Sequence, residues 1–321
     1  MAVIALDLGG TKIAGALFDN DGRQLHRQTQ LLEGRAGSQV GALVVELSRS
    51  LHRQADQDGI HPEAMGICVP GISHAHRGTV WAPNIPGWED YPLQEEMRSA
   101  FASTRMSITI DSDRACSILG ELWQGAAKGA RDAIFLAVGT GIGAGILADG
   151  KVLRGAHDIA GAIGWMALDR PFEQKYVACG CFEYYASGEG IARVAREMLD
   201  ANTSYRGVLR TKAHAGITAH DVFEAYESHD RLSESTLSTC IEFWGMATAN
   251  LVSLFNPEKI IFGGGVFGPA ARFLDAITRE ARKWAQPISM SKVQLEVSML
   301  GGDAPLYGAG LLALESRRRQ A

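Results

Sequence analysis

Short apolar runs closed by turns alternate along the chain with longer stretches in which apolar residues recur every three or four positions. Val3 to Leu6 is apolar, Asp7-Leu-Gly-Gly-Thr-Lys12 turns, and Ile13 to Phe18 resumes an apolar run. Asp19-Asn-Asp-Gly22 is a hairpin signal ahead of Arg23-Gln-Leu-His-Arg-Gln. Leu43, Leu47 and Leu51 share one face of a helix predicted over 43–54, and Ala64 to Val69 reads as a buried strand. A stretch with Pro70, Pro83, Pro86 and Pro92 predicts an irregular path that wraps around something instead of crossing a core. Ser107 to Ile110 predicts a strand, and Asp113 to Gln124 a helix opening at its N-terminal acid. Ala133 to Val138 reads as a buried strand turning at Gly139-Thr-Gly141, and Gly155 to Gly180 as a second irregular, glycine-rich region. Ser187 has the character of an N-cap for a helix over 188–199. Leu237, Ile241, Trp244, Thr248, Leu251 and Phe255 predict a long core helix ending at Asn256-Pro257. Lys259 to Phe262 reads as a strand stopping at Gly263-Gly-Gly265, and Leu306 to Arg319 as a helix with a basic last turn that suits its dipole. Strands and helices alternate throughout, so the class is α/β, with no short-period repeat and no low-complexity linker.

Composition narrows the function. The 321 residues allow two domains at roughly 150 residues each. With 36 acidic and 31 basic residues the formal charge is −5, which offers no field for nucleic acid or an anionic membrane face. The start, Met1-Ala-Val-Ile-Ala-Leu-Asp7, lacks the basic region of a signal peptide. The weakly polar stretch from Ala133 to Ala148 falls short of the ~18 apolar residues of a membrane helix. Cys68, Cys116, Cys179, Cys181 and Cys240 are odd in number and scattered, as in a reducing compartment. A soluble, cytoplasmic protein is expected. Glycine is in excess: 37 residues, beyond the needs of turns, point to loops where backbone approaches a ligand closely.

Two strands end in Gly-Thr turns, Leu6-Asp7-Leu-Gly9-Gly10-Thr11-Lys12 and Val138-Gly139-Thr140-Gly141-Ile-Gly143. Such turns offer bare backbone N–H groups and a hydroxyl to phosphate oxygens. One such loop is explained as well by a tight hairpin; two, with Gly263-Gly-Gly265 after a third strand, favour the phosphate reading. Asp7 is suited to hold Mg²⁺ through water.

These blocks resemble the ROK (repressor, ORF, kinase) family of sugar kinases within the actin-like ATPase superfamily. The likeness covers nearly the whole chain. It runs through Ala5-Leu-Asp-Leu-Gly-Gly-Thr-Lys12, Gly66-Ile-Cys-Val-Pro-Gly71, Ala82-Pro-Asn-Ile-Pro-Gly-Trp88 and Asp113 ahead of Leu119-Gly-Glu121. It continues through Val138-Gly-Thr-Gly-Ile-Gly143, Ala160-Gly161 with Ile163-Gly164, Glu183-Tyr-Tyr-Ala-Ser187 and Asn256-Pro-Glu-Lys-Ile-Ile-Phe-Gly-Gly-Gly265. The resemblance implies two actin-like (ribonuclease H-like) α/β domains with a ligand cleft between them, the small one 1–112 plus 304–321 and the large one 113–303. Asp7, Gly9, Gly10, Thr11, Gly139, Thr140 and Gly141 would surround the phosphates of ATP, and Gly263, Gly264 and Gly265 would lie under the adenosine. Lys12 would reach a phosphate or be an exposed turn lysine. Asp113 matches the catalytic aspartate, the carboxylate that accepts the attacking hydroxyl's proton; a plain helix cap is the alternative. At a helix N-terminus it is expected to be ionised at neutral pH.

The sugar half departs from the family. Ser112 stands where an asparagine is usual, and Ala162-Ile-Gly-Trp165 stands where a glutamate and a histidine are usual. The family's zinc run is reduced to Cys179-Gly-Cys181, with only Cys181 at a ligand position, so no zinc site is expected. Asn84, Asp113 and Glu183 remain as substrate contacts, or as a turn asparagine, a cap and a helix-start acid. His157 and Asp158 compensate for the losses or form a solvated loop, and Trp165 stacks on a sugar or plugs the pocket. The expected activity is ATP- and Mg²⁺-dependent phosphorylation of a hexose or hexose derivative, with glucose a poor substrate. A binding protein of the same fold without kinase activity is the alternative. A sugar-responsive repressor is less favoured, because only six residues precede Asp7. No nucleic-acid or membrane partner is expected, and a homodimer is the default.

Overall fold

The computed structural model describes residues 2–318. Met1, where the reading of the N-terminus begins, and residues 319–321, with which the expected C-terminal helix and small domain end, lie outside them. The chain opens as β1 (Ala2–Leu8), β2 (Lys12–Asp19), β3 (Gln24–Leu31), α1 (Ser38–Gln57) and β4 (Ala64–Val69). A small hairpin, β5 (Ile72–His74) and β6 (Thr79–Trp81), leads to α2 (Leu93–Ala100), β7 (Ser107–Ser112) and α3 (Asp113–Gln124). The second half starts again with three strands, β8 (Ala133–Val138), β9 (Ile142–Ala148) and β10 (Lys151–Val152). Four helices follow: α4 (Cys181–Ala186), α5 (Gly188–Ala201), α6 (Ala219–Glu227) and α7 (Arg231–Phe255). β11 (Lys259–Gly263), α8 (Leu274–Trp284), α9 (Pro287–Met290), β12 (Gln294–Val297) and α10 (Ala304–Arg318) complete the order.

The strands form two five-stranded sheets of the same design. The first runs β3-β2-β1-β4-β7, with β1 to β3 antiparallel and β4 and β7 added in parallel. The second runs β10-β9-β8-β11-β12 and repeats that pattern. One topology therefore occurs twice, which a search for short sequence repeats does not detect. β1 and β4 are buried on both faces, as their unbroken apolar runs require.

Helices α3 and α10 cross each other between the sheets; α10 packs on β1, β4 and β7, and α3 on β8 and β9. Their crossing is made of bare backbone. A Cβ on Gly120 would stand 2.0 Å from the Ala304 carbonyl oxygen, and one on Gly308 1.7 Å from that of Cys116. Only glycine permits so close an approach.

Several elements extend the sequence reading. α1 and α7 start earlier than the apolar periodicity indicates, α7 from the cap Asp230, whose carboxylate accepts the N–H groups of Leu232 and Ser233. α7 ends at Asn256, in left-handed conformation at φ 45°, ahead of Pro257. The helix over 113–124 stands as expected, but its cap is Ser112, whose hydroxyl accepts the Ala115 N–H at 3.4 Å. Asp113 is its first helical residue and is therefore not a capping acid. Ser187 caps α5 as expected, accepting the Gly190 N–H at 2.9 Å. Among the described residues no helix is long and apolar enough to cross a membrane.

Candidate active site

Two cavities open between the sheets and their loops. The first, about 440 Å³, is lined by Gly71 and Asn84 from one body, by Asp113, Arg114 and Ser117 of α3, and by the 139–143 turn, Glu183 and Gly264 from the other. The second, about 1000 Å³, lies beyond the same turn, between α5, α6 and the loop after β11. Gly139 and Thr140 line both. A ligand passing over this turn would have one end in each cavity.

The turn is held from below. The Gly139 N–H donates to the Gly141 carbonyl at 2.9 Å, and the Gly139 carbonyl accepts the N–H of Gly188, at the start of α5, at 2.8 Å. Glu183, in the first turn of α4, accepts the Ile142 N–H at 2.6 Å through Oε2. A Cβ on Gly141 would lie 2.7 Å from that oxygen, so the brace requires glycine there. Burial pushes the Glu183 carboxyl above its ordinary range, while the Ile142 N–H and the Arg193 charge pull it back. At Gly139 a Cβ would meet open space, the volume a bound anion would take. Gly264, at φ +87°, would press a Cβ to 2.4 Å from the Val138 carbonyl.

On the other body the Gly9 N–H donates to the Lys12 carbonyl at 2.9 Å, closing the first turn, and Gly10, Thr11 and Lys12 are exposed. Gly10 approaches Asn84: a Cβ there would stand 3.4 Å from the Asn84 Cβ. Asp7, at the end of β1, is half-buried. Burial pushes its pKa up to about 6; the Cys68 thiol donates a hydrogen bond that lowers it, and the Asp113 charge raises it. Asp113 is itself raised by burial, with the Arg114 charge and backbone N–H groups opposing. Its Oδ1 accepts the Arg114 N–H at 2.8 Å. The helix N-terminus alone predicts full ionisation; burial works against it and gives the carboxylate the proton affinity of a base. A buried carboxylate whose charge a second acid disfavours is a fit for a divalent cation, which Asp7 could hold through water.

Other expected contacts lie elsewhere. Ser112 is buried and its hydroxyl is taken by the α3 cap, so it does not line the cleft. Gly263 is buried beneath the Phe135 ring and lines neither cavity, whereas Gly264 lines the first and Gly265 the second. His157 is exposed and outside both linings. Asp158, at φ +57°, accepts the Ala75 N–H at 3.3 Å and so ties the β5–β6 turn to the opposite body. Trp165 is 58% exposed and plugs nothing, because Gly180 packs against its backbone and the ring faces outward. Arg114, Gly71 and Gly143 are lining residues that the sequence reading did not single out as contacts. Adjacency to Asp113 was the available signal for Arg114.

Cys179 and Cys181 do not form a zinc ligand set. Cys181 is buried, and the Cys179 thiol faces the Gly180 carbonyl at 3.8 Å. Among the described residues the one group of three suitable ligands is His220, Asp221 and Glu224, and Lys212 already pairs with both acids there.

The chain matches the ROK family model over residues 3–316. It is 31% identical to a glucokinase of Halalkalibacterium halodurans, covering 96% of this chain and 94% of that protein. It is 28% identical to a xylose repressor of Caldicellulosiruptor bescii, covering 96% of this chain and 76% of the repressor. A ROK family glucokinase of Streptomyces griseus, solved with glucose and AMPPNP, superposes with a TM-score of 0.76 at 28% identity, over 98% of this chain and 100% of that one. The doubled α/β topology, the cleft between its halves and this match along nearly the whole sequence establish that the chain belongs to the ROK family.

Proposed function

We propose that this protein transfers the γ-phosphoryl group of ATP to a hydroxyl of a hexose or hexose derivative, with Asp113 as the general base. Carbohydrate phosphotransfer is the activity class of its kinase relatives. The observation that carries the reading is the junction of two cavities over Gly139 and Thr140, with Asp113 on the smaller side. The nucleoside takes the larger cavity over Gly265, with Gly264 beneath the phosphates' path. The phosphates cross the turn between Gly139–Gly141 and Gly9, Gly10, Thr11 and Lys12, and Asp7 would hold Mg²⁺ through water. The acceptor sugar lies in the smaller cavity against Asn84, Asp113 and the free edge of Glu183. Phosphoryl transfer asks the protein mainly for positioning and charge stabilisation. Asp113 orients the attacking hydroxyl and accepts its proton; Mg²⁺, when bound, would offset the charge of the phosphates.

The sugar is not a well-recognised glucose in this reading. Ala162 and Trp165 offer no polar group to the cleft, and a hydroxyl left without a partner costs about 1–3 kcal/mol. The small body is 1–112 plus 304–321, the large one 113–303, and the assembly a homodimer. A screen of Mg²⁺-ATP turnover over neutral, N-acylated and acidic sugars tests the function. The expected result is ADP release matched one-to-one by a sugar phosphate for one class of sugar. Sugar binding by thermal shift without ADP release from any of them would instead favour a binding protein that has kept only the fold.

A further inference from the structure

Arg114 follows the proposed base directly and, among the described residues, is the sole cationic side chain lining the smaller cavity. It lies between Gly71 and Gly143; a Cβ on Gly143 would stand 3.1 Å from its Cδ. Its Nη2 donates to the Gly71 carbonyl at 3.2 Å, long for a charged donor. Its Nε is buried and has no hydrogen-bond partner. Among the described residues no carboxylate forms a salt bridge with it. A buried guanidinium N–H without an acceptor is rare and calls for a physical account.

The other polar groups of this cavity do not need an anion. Glu183 is engaged with the Ile142 N–H, Asn84 is neutral, and Asp113 is the base. A neutral hexose brings hydroxyls that Asn84 and Asp113 can satisfy, and to the guanidinium it offers at most single, uncharged acceptors. A carboxylate accepts two parallel N–H bonds from the planar fork of arginine, so Nε and one Nη would both be satisfied at once. Turning the fork towards the cavity would exchange the one long bond to Gly71 for that pair. We propose that Arg114 reads a carboxylate on the acceptor, so that the cleft selects an aldonic or uronic acid over the corresponding neutral hexose; this rests on the kinase reading above. The carboxylate stays intact, and the phosphoryl group goes to a hydroxyl beside Asp113.

The test compares wild type with Arg114→Ala and Arg114→Lys on hexuronates, aldonates and the parent hexoses. Wild type is expected to favour the acids in kcat/KM, and Arg114→Ala to reduce that preference roughly 10- to 100-fold, carried by KM for the acid. Arg114→Lys restores part of it, as a charge without the fork. A wild-type preference for the neutral sugar overturns the proposal. So does an equal loss of kcat on every sugar in Arg114→Ala, because the guanidinium would then serve the phosphoryl group. If wild type turns over no sugar at all, the kinase reading fails by itself. Calorimetry then reads the inference separately: glucuronate binding lost in Arg114→Ala supports it, and no glucuronate binding to wild type overturns it.

Discussion

At the scale of single residues, the cleft is built at a cost to the fold. Asp7 keeps a carboxylate where burial and Asp113 both disfavour its charge, so that its pKa stands at about 6, against roughly 3.9 in an unfolded chain. An acid raised in the fold adds stability at low pH that is lost as pH rises through its folded value. Below about pH 4 the term is fully present; above about pH 6 it is gone, at ~3 kcal/mol. Asp7→Asn is therefore expected to raise the melting temperature of the nucleotide-free protein at pH 8, with the gain shrinking between pH 6 and 4, while abolishing Mg²⁺-ATP turnover. Thermal melts across pH 4–8 check it, and a destabilised variant at pH 8 would contradict the electrostatic account. Residue roles were legible where backbone chemistry dictated them. The helix start alone marked Asp113 only as a cap, and the proposed role of base came from the family resemblance; Gly139 and Gly141 were marked by their turn. Trp165 and Asp158 were not, because whether a loop side chain faces a cavity, solvent or the opposite body depends on contacts such as Gly180 beneath Trp165 that sequence spacing does not encode.

At the scale of elements, a few boundaries were read to the residue while β1, α5 and α7 proved longer than the pattern indicates. Ala64–Val69 and Ala133–Val138 were, because unbroken apolar runs leave little choice of boundary, and so was 113–124, marked by its first acid although Ser112 is the cap. β9 was not resolved as a strand, its Gly143 and Gly145 diluting the pattern; a Cβ on Gly145 would stand 2.1 Å from the Arg114 carbonyl, so the glycine serves the packing of α3. α2 lies just behind the proline-rich stretch that hid it, and α4 is too short to show a period. The crossing of α3 and α10 is where an element and the site are coupled, since α3 carries Asp113 at its first turn. Gly308→Ala would place a methyl group 1.7 Å from the Cys116 carbonyl. Forcing the helices apart is expected to cost at least about 1–3 kcal/mol and, by moving Asp113, to lower kcat roughly 100-fold. Denaturant melts and steady-state kinetics read the two effects, and an unchanged midpoint would mean that the crossing yields freely.

At the scale of the whole molecule, the function follows from a doubled sheet. Each copy ends its first strand in a glycine turn, Gly9–Lys12 after β1 and Gly139–Gly141 after β8; the second turn lines the cleft, and Gly10 of the first stands against Asn84, which lines it as well. Contacts across that cleft, Arg154 with Asp111 at 2.9 Å and Asp158 with Ala75 at 3.3 Å, join the halves. The α/β class and the two matching turns were legible from sequence. The second cavity was less so, because its walls at α5, α6 and the loop after β11 come from segments far apart in the chain. The central claim is that this cleft transfers phosphate to a sugar hydroxyl through Asp113. The most direct test is mass-spectrometric detection of sugar phosphate formed from Mg²⁺-ATP by wild type and by Asp113→Asn, alongside calorimetry of AMPPNP binding to both. We predict product from wild type, a loss of roughly 10²- to 10⁴-fold in the variant, and nearly equal AMPPNP affinity. An Asp113→Asn protein that kept most of its rate on the best sugar would contradict the account.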